Sequence, residues 1–278
     1  MGEPEVTFAA RRLRNTSIAL AALALMGLAV WLHHLALRDT SFLTGWLLVA
    51  AFIVLAGYNM RKKLPFLPLA DSASWLQVHV YLGYLTIALF LMHTGVKMPN
   101  GVLESVLWVL VVALLVTGLF GIAISRLIPG ALTQHGERII YERIPAFRAQ
   151  LASEVADLAT KSVEQTASGT VASYYTQRLQ PFFARPRNFW LHLLGSSRPR
   201  QAMCREIRSL ERYVAKEDQQ TLDEIEARVL AKDNLDYQHA WQSLLKGWLF
   251  LHIPLTYAAI VVAVVHVVLA YAFASATS

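Results

Sequence analysis

The sequence predicts an all-α membrane protein, a polytopic helical bundle with five transmembrane helices and a cytoplasmic helical insert. Hydrophobic residues make up 55% of the 278-residue chain and charged residues only 16%, whereas soluble domains carry about 25% charged residues. The mean hydropathy is +0.42. Apolar residues are concentrated in five stretches, and a long segment of mixed charge separates the fourth stretch from the fifth.

Each apolar stretch has about the 20 residues that a helix needs to cross a bilayer. The predicted spans, in chain order, are 17–37, 41–58, 74–94, 102–125 and 247–273. Because lipid offers the backbone no hydrogen-bond partners, each span is expected to be helical. The first is not read as a cleavable signal peptide, because it is long and no small-residue cleavage site clearly ends it. The chain is thus divided into a membrane part at 1–126, an insert at 127–246 and a last helix at 247–278.

Basic residues flank these spans unevenly. One set of loops carries Arg11, Arg12, Arg14, Arg61, Lys62, Lys63 and Arg126, and the opposite loops hold only Arg38 and Lys97. Because basic loops stay in the cytoplasm, the N-terminus and the insert are expected inside a bacterial-type inner membrane, with the C-terminus outside. The third and fifth spans then run parallel. The net charge of +6 mostly reflects this topology and is not read as nucleic-acid binding.

Four histidines occupy the third and fifth spans as two pairs with one spacing. Fourteen residues separate His79 from His93, and the same number separates His252 from His266. At about 100° per residue this step falls roughly 40° short of four turns, so each pair lies on one helix face. The rise is roughly 21 Å, most of a hydrocarbon core of about 30 Å. In parallel helices, His79 is expected to face His252 near the cytoplasm and His93 to face His266 near the outer surface.

Two such cross-helix pairs are the ligand set of two haems with bis-histidine ligation. The alternatives are packed or hydrogen-bonded histidines, a proton relay or another metal. Zinc usually needs tighter ligand clustering than this spacing provides. The only cysteine, Cys204, excludes a four-cysteine cluster and covalent haem attachment, so any haem is b-type. Gly118 and Gly121 lie in an apolar helix, where small residues more often allow close packing than bind a dinucleotide.

The paired histidines on parallel helices resemble the cytochrome b of respiratory and photosynthetic cytochrome bc complexes, which spaces its ligands by 14 residues on both ligand helices. His252-Ile253-Pro254 is similar to the second ligand helix of that family. The resemblance covers the third to fifth spans and implies two haems b in a helical bundle. The Pro-Glu-Trp-Tyr motif of that family's quinol-oxidation site is absent. More distantly, the ligand positions resemble the ferric-reductase and NADPH-oxidase membrane domain, which usually spaces one pair a residue closer and often adds a flavin domain.

Several other residues are candidates for the surroundings of the haems. Arg61, Lys62 and Lys63 are expected to reach the inner propionates, although a topology signal explains them equally simply. Candidates at the outer haem are Arg38, Lys97, His33 and His34. Gly83 leaves room for a porphyrin or for helix packing. Glu104 is a candidate for proton transfer at a quinone site, or a residue that favours a helix start.

The insert contains 16 Lys or Arg and 14 Asp or Glu residues and is predicted to be helical. Three apolar stripes recur every three to four residues: Ile140, Ile144, Phe147, Leu151, Val155 and Leu158; Met203, Ile207, Leu210 and Val214; and Leu222, Ile225 and Val229. Pro145 is expected to start or kink the first helix. The basic, aromatic stretch PFFARPRNFWLHLLG suits a membrane surface through Trp190 and Arg187.

These features predict a dihaem b-type cytochrome subunit of a membrane oxidoreductase, carrying electrons between the quinone pool and a redox partner. The expected partners are lipid, a quinone or quinol, and an iron–sulfur, flavin or c-type cytochrome protein. The alternative is a ferric-reductase-like conduit fed by a cytoplasmic flavin or iron–sulfur partner. A third hypothesis is a role without redox chemistry, as a proton channel or an assembly anchor.

Overall fold

A computed structural model describes residues 8–63, 72–133, 139–166 and 169–274. These residues are almost entirely helical and include no β-strand. Five of their helices are long and apolar enough to cross a membrane, as expected of a multi-pass membrane protein. The predicted helical class is therefore confirmed for this part of the chain, while the cytoplasmic side of the insert stays a prediction.

The four N-terminal helices are α1 (Phe8–Leu35), α2 (Thr40–Lys63), α3 (Ser72–Thr94) and α4 (Val102–Thr133). After a 3₁₀ turn at Tyr141–Arg143 come α5 (Ile144–Thr166), α6 (Thr170–Tyr174), a π-helical turn at Tyr175–Leu179, and α7 (Gln180–Ala184). The last elements are α8 (Phe189–Leu193), α9 (Arg198–Leu210), a 3₁₀ turn at Glu211–Tyr213, and α10 (Lys216–Ala274).

The first predicted span ends two residues too late. Helix α1 ends at Leu35 because Leu37 takes a left-handed conformation, with φ of 55°. The N–H of Leu37 donates to the carbonyl of His34 at 3.0 Å, and that of Arg38 donates to the carbonyl of His33 at 3.2 Å. This pair of bonds is a Schellman motif, which satisfies the last carbonyls of the helix.

The chain divides into two compact units. The first contains Met1–Ile122 and Phe250–Ser278. Leu48, Leu89, Phe90 and Val111 form a buried cluster in it. Many other large apolar side chains of its helices are exposed, which is the surface expected of helices that lipid surrounds. The indole N–H of Trp46 on α2 donates to the hydroxyl of Tyr271 on α10 at 2.8 Å.

The second unit, Ala123–Leu249, extends a few residues beyond the predicted insert at both ends. Its core contains Val155, Ala159, Val171, Leu179, Phe182, Phe183, Ile207, Leu222, Ile225 and Val229. Most members of the three predicted stripes are buried in this core or pack against it. This confirms helical periodicity except at Val214, which packs on the core but follows the helix in extended backbone, with φ of −119° and ψ of 157°. Pro145 is the second residue of α5 and so starts the helix rather than kinking it.

Two positions at the beginning of the first stripe are wrong, although Ile144 between them is buried, with 1% exposure. Ile140 is 62% exposed and precedes the helix in extended backbone, with φ of −66° and ψ of 133°. The three-to-four-residue period therefore does not apply to it. Phe147 is 38% exposed and lies beside the guanidinium of Arg143, 5.9 Å from the ring centroid. The part of the stripe that packs into the core begins at Leu151.

Candidate functional site

The structure places the four histidines of the predicted pairs on two helices of the first unit. His79 and His93 lie on α3, and His252 and His266 lie on α10. All four are half-buried. The ring centroids of His93 and His266 are 6.5 Å apart, with the ring planes at 87°. The rings of His79 and His252 are close enough to interact electrostatically. Each histidine of α3 therefore has its neighbour on α10 in the order that parallel helices give.

A threonine hydroxyl contacts the imidazole of His93. Thr44 on α2 lies with its Oγ1 3.0 Å from Nδ1 of His93. The same Oγ1 donates to the carbonyl of Thr40 at 2.9 Å. A hydroxyl has one proton to donate. When that proton goes to the helix carbonyl, Oγ1 accepts from His93, so that Nδ1 carries the hydrogen and Nε2 carries the lone pair.

His252 has the same arrangement on a different pair of helices. Thr117 on α4 lies with its Oγ1 2.9 Å from Nδ1 of His252. This hydroxyl donates to the carbonyl of Ala113 at 2.8 Å. With its proton on that carbonyl, the hydroxyl accepts from the imidazole, and Nδ1–H is again the donor.

His79 reaches the same tautomer through a backbone group. Its Nδ1 lies 3.2 Å from the carbonyl oxygen of Leu55 on α2. A carbonyl only accepts, so Nδ1 of His79 must carry the hydrogen. The ring also contacts Tyr58, with centroids 5.4 Å apart. Three of the four histidines thus present Nε2 as the basic nitrogen. Metal-bound histidines are held in this way, since they almost always donate their other ring N–H to an oxygen acceptor.

Helix α2, which contacts His93, and helix α4, which contacts His252, each provide a Thr-Gly dipeptide at the contact. Gly45 follows Thr44, and a Cβ placed on it would come within 3.2 Å of Cε1 of His93. Gly118 follows Thr117, and its Cβ would lie 3.9 Å from Cε1 of His252. In each dipeptide the threonine binds the imidazole, and the glycine gives the ring space beside the helix backbone.

The spacing of His93 and His266 fits a shared metal ion. A bond between a metal and an imidazole nitrogen is about 2 Å long, so two imidazoles on opposite faces of one ion have centroids roughly 6 Å apart. The observed separation is 6.5 Å. In the described residues, no group of three or more His, Cys, Asp or Glu side chains could hold a metal ion. The donors here are two imidazoles, which is fewer side-chain ligands than a zinc site uses.

The structure separates the other predicted site residues into three groups. The side chains of Arg61, Lys62 and Lys63 lie outside the part of the chain that is described, so their contact with a haem stays a prediction. Arg38, His34, Lys97 and Glu104 are exposed, and His33 is half-buried. Glu104 lies in the first turn of α4. A Cβ on Gly83 would meet nothing within 4 Å, which leaves open space between the two histidines of α3.

Asp39 is a charged neighbour of the His93 pair that sequence reasoning missed. It lies just before α2 and accepts the backbone N–H of Ser41 at 2.8 Å. This bond holds the pKa of the Asp39 carboxyl below its usual value, because it stabilises the charged form. Asp39 also interacts electrostatically with His93 and His33. It places a negative charge near the His93 end of the site.

The two threonines were also missed. Their partners lie 49 and 135 positions away in the chain, so helical periodicity does not connect them. The sequence has Thr-Gly at residues 44–45, 94–95 and 117–118, and the first and third of these lie inside predicted spans. A polar hydroxyl beside a glycine, in a helix that must cross lipid, marks a place where another group approaches.

No family model matches this chain, and neither a curated protein nor a solved structure is found to be similar to it.

Proposed function

We propose that this chain is a dihaem b-type cytochrome subunit of a membrane oxidoreductase. It would carry electrons across the membrane between the quinone pool and a redox partner protein. The observation that supports this most strongly is the pairing of histidines on α3 and α10, with Nδ1 of three of them engaged by oxygen acceptors. In each of these three rings one nitrogen is engaged by oxygen, which leaves the other nitrogen to bind a metal.

In this proposal His79 and His252 hold one haem, and His93 and His266 hold the other. The haems supply one-electron transfer when bound. Imidazole on both axial sides leaves no open coordination position, so the site favours electron transfer over oxygen binding. The oxygen atoms that accept from Nδ1 orient each ring and make its Nε2 more basic. The 14-residue step along each helix, a rise of roughly 21 Å, separates the two pairs along the membrane normal.

The topology belongs to the same proposal. The basic residues around the spans favour a cytoplasmic N-terminus and second unit, with the C-terminus outside. His79 and His252 would then be the inner pair, and His93 and His266 the outer pair. Arg61, Lys62 and Lys63 would be available to the inner propionates. Asp39, Arg38 and Lys97 would lie on the outer side.

A quinol is the proposed mobile donor or acceptor. The single cysteine of the chain provides no iron–sulfur ligand set, so electrons must enter and leave through a lipid-soluble carrier or a docked protein. A site within a helical bundle can admit a flat apolar ring. Glu104, exposed at the start of α4, is the proposed proton acceptor on the outer side. The partner protein would carry an iron–sulfur cluster, a flavin or c-type haem.

The first experiment measures haem in the purified chain. A pyridine haemochrome assay with protein quantitation should give about two haems b per chain, because four imidazoles make two axial pairs. The haem should be extracted by acid acetone, because no cysteine motif attaches it. A value near zero, or haem that resists extraction, would contradict the proposal.

The second experiment assigns the ligands. His79→Ala and His252→Ala should each remove one component of the redox titration, and His93→Ala and His266→Ala should each remove the other. His239→Ala is the matched control, because this half-buried histidine of the second unit stacks on Tyr141 with centroids 5.3 Å apart and should leave both components intact. If His79→Ala and His266→Ala remove the same component, the proposed pairing is wrong.

The third experiment separates quinone chemistry from the ferric-reductase-like alternative. A quinol analogue added under anaerobic conditions should reduce both haems within the turnover time of the complex, and a quinone-site inhibitor should prevent it. If only a flavoprotein or ferredoxin-type donor reduces the haems and inhibitors have no effect, the conduit is the better account.

A further inference from the structure

A short segment of the second unit exposes large apolar side chains to an unusual degree. Trp190 is 73% exposed, Leu194 is 80% exposed and Leu191 is 39% exposed. They lie in and directly after α8 (Phe189–Leu193), in the middle of residues 185–200. We refer to residues 185–200 as the tryptophan loop. Isolated apolar residues on a surface are common, whereas three within five positions mark a contact surface.

The backbone of the tryptophan loop is well defined at both ends of α8. Asn188, just before the helix, has a left-handed φ of 59°, and Gly195, just after it, has φ of 67°. The N–H of Gly195 donates to the carbonyl of His192 at 3.0 Å, and that of Ser196 to the carbonyl of Leu191 at 2.9 Å. These bonds form a Schellman motif. Trp190 and Leu194 are four residues apart in this turn and therefore lie on one face.

The opposite face of the loop is anchored to α10. His192 is only 3% exposed, lies 3.7 Å from the carboxylate of Asp233 and meets the ring of Tyr237 edge-on. The buried Lys232 donates to the carbonyl of Arg185 at 3.2 Å. The inward and outward residues of the loop are thus fixed by packing, and the exposure of Trp190 is a property of the fold.

A second bond braces the start of the loop. Asp236, which forms a buried ion pair with Lys232, accepts the backbone N–H of Arg187 at 3.1 Å. The Nζ of Lys232 also lies over the ring of Phe182, 4.0 Å from its centroid. A buried ion pair of this kind adds little net stability, but here each partner also fixes a backbone group of the loop.

The charged residues in the sequence around the apolar tip have a single sign. Residues 178–205 include six arginines and no aspartate or glutamate. Arg178 is paired with Glu206, which lies outside that range. Arg185 and Arg198 are exposed at the two ends of the loop, and Arg187 and Arg200 are half-buried. An apolar tip flanked by arginines is complementary to a lipid surface with anionic headgroups, since the tip enters the interface and the guanidinium groups meet phosphate.

We propose that the tryptophan loop binds a lipid surface bearing anionic headgroups and inserts Trp190, Leu191 and Leu194 into it. The five apolar helices of the chain keep the second unit tethered to a bilayer, so such a surface is always present at high local concentration. Trp is suited to this position because its ring is apolar and its N–H bonds to the headgroup region. The inference goes beyond the proposed electron transfer and does not depend on haem.

The test uses the full chain in lipid nanodiscs that contain phosphatidylglycerol. Nitroxide labels are placed by Trp190→Cys, Leu194→Cys and, as a control, Tyr213→Cys, each combined with Cys204→Ser so that one thiol remains. Tyr213 belongs to the same unit and is 76% exposed. Labels at 190 and 194 should be relaxed more by oxygen, which partitions into lipid, than by a water-soluble nickel chelate. The label at 213 should show the reverse order.

Two further arms test the lipid charge and the wild-type tryptophan. The preference for oxygen at 190 should fall in nanodiscs of phosphatidylcholine alone and in the Arg185→Gln/Arg198→Gln variant. With the native residue in place, brominated lipids should quench more fluorescence in the wild type than in Trp190→Phe. The proposal is overturned if the nickel chelate relaxes the labels at 190 and 194 as strongly as the label at 213. It is also overturned if neither relaxant reaches the labels at 190 and 194, which is the result expected when another protein or a second copy of the chain covers them. If the labels insert equally well with and without anionic lipid, the proposed role of anionic headgroups is wrong.

Discussion

Two threonine hydroxyls of the first unit each contact both a backbone carbonyl of their own helix and an imidazole of another helix. A threonine in an apolar helix usually only donates to the carbonyl one turn back. Thr44 and Thr117 do this and also accept from an imidazole. When the bond to the backbone uses the only hydroxyl proton, the threonine accepts from the imidazole. A helix-internal hydrogen bond thereby couples to the tautomer of a side chain on another helix.

Replacing these threonines by the isosteric valine should alter one haem at a time. Thr44→Val should shift the potential of the haem held by His93 and weaken its retention by about 10- to 100-fold, the usual effect of losing the group that orients a metal ligand. Thr117→Val should do the same to the haem held by His252. Redox titration and transfer of haem to an excess of apo-globin measure the two effects.

Thr94→Val is the control for this pair. Its Oγ1 donates to the carbonyl of Phe90 at 3.0 Å, so the substitution removes the same helix-internal bond from α3. Both haems should keep their potentials in this variant. An equal change in all three variants would indicate a general loosening of the bundle and would contradict the role given to Thr44 and Thr117.

Sequence reasoning found the histidines and missed their acceptors for a physical reason. The pairs His79–His93 and His252–His266 are visible in the sequence because residues on one face of a helix repeat with its period. The acceptor of His252 lies on α4, and that of His79 is a backbone carbonyl of Leu55. A carbonyl is present at every residue, so its use leaves no trace in the sequence.

At the scale of helices, the close approach of α2 to α3 differs from that of α4 to α10. Alanine at position 45 would place a Cβ 3.2 Å from Cε1 of His93, closer than ordinary van der Waals contact, whereas alanine at 118 would lie at a normal 3.9 Å from His252. Gly45→Ala should therefore displace the His93 ring and change the low-temperature α-band of one haem. Gly118→Ala should leave both bands in place. Equal spectra for the two variants would contradict this.

The largest difference between predicted and observed elements is in the C-terminal helix. The sequence predicted an amphipathic stripe at Leu222, Ile225 and Val229 and a separate span at 247–273. The structure has one helix, Lys216–Ala274. The distribution of apolar residues changes along this helix. Its first part has one apolar face that packs into the core of the second unit, and its last part is apolar on all sides, as expected of a helix that lipid surrounds. The residues between the two parts include neither glycine nor proline before Gly247, so the absence of a helix breaker was the signal available.

At the scale of the whole molecule, the proposed haem ligands and the core of the second unit belong to different compact units. Ile225→Ala, at a position with no exposure, should lower the free energy of unfolding of the second unit by about 2–5 kcal/mol. The absorption spectrum of the haems should not change. Calorimetry of the purified chain would show the second unit melting at a lower temperature.

Leu230→Ala is the matched control, because Leu230 is 40% exposed on the same helix. It should lower the melting temperature much less, since an exposed side chain leaves no cavity when it is shortened. If Ile225→Ala loses haem while Leu230→Ala keeps it, the prediction is wrong, because the stability of the second unit then affects haem binding in the first.

The oxygen acceptors of three imidazoles also bear on how the protein would keep its cofactors. The acceptors of His79 and His93 lie on α2, and that of His252 lies on α4. In the proposed cytochrome, the groups that orient the ligands therefore come from helices other than the two that carry the histidines. Separating these helices would loosen the haems even where the two ligand helices are intact, so cofactor loss would be an early sign of damage to the bundle.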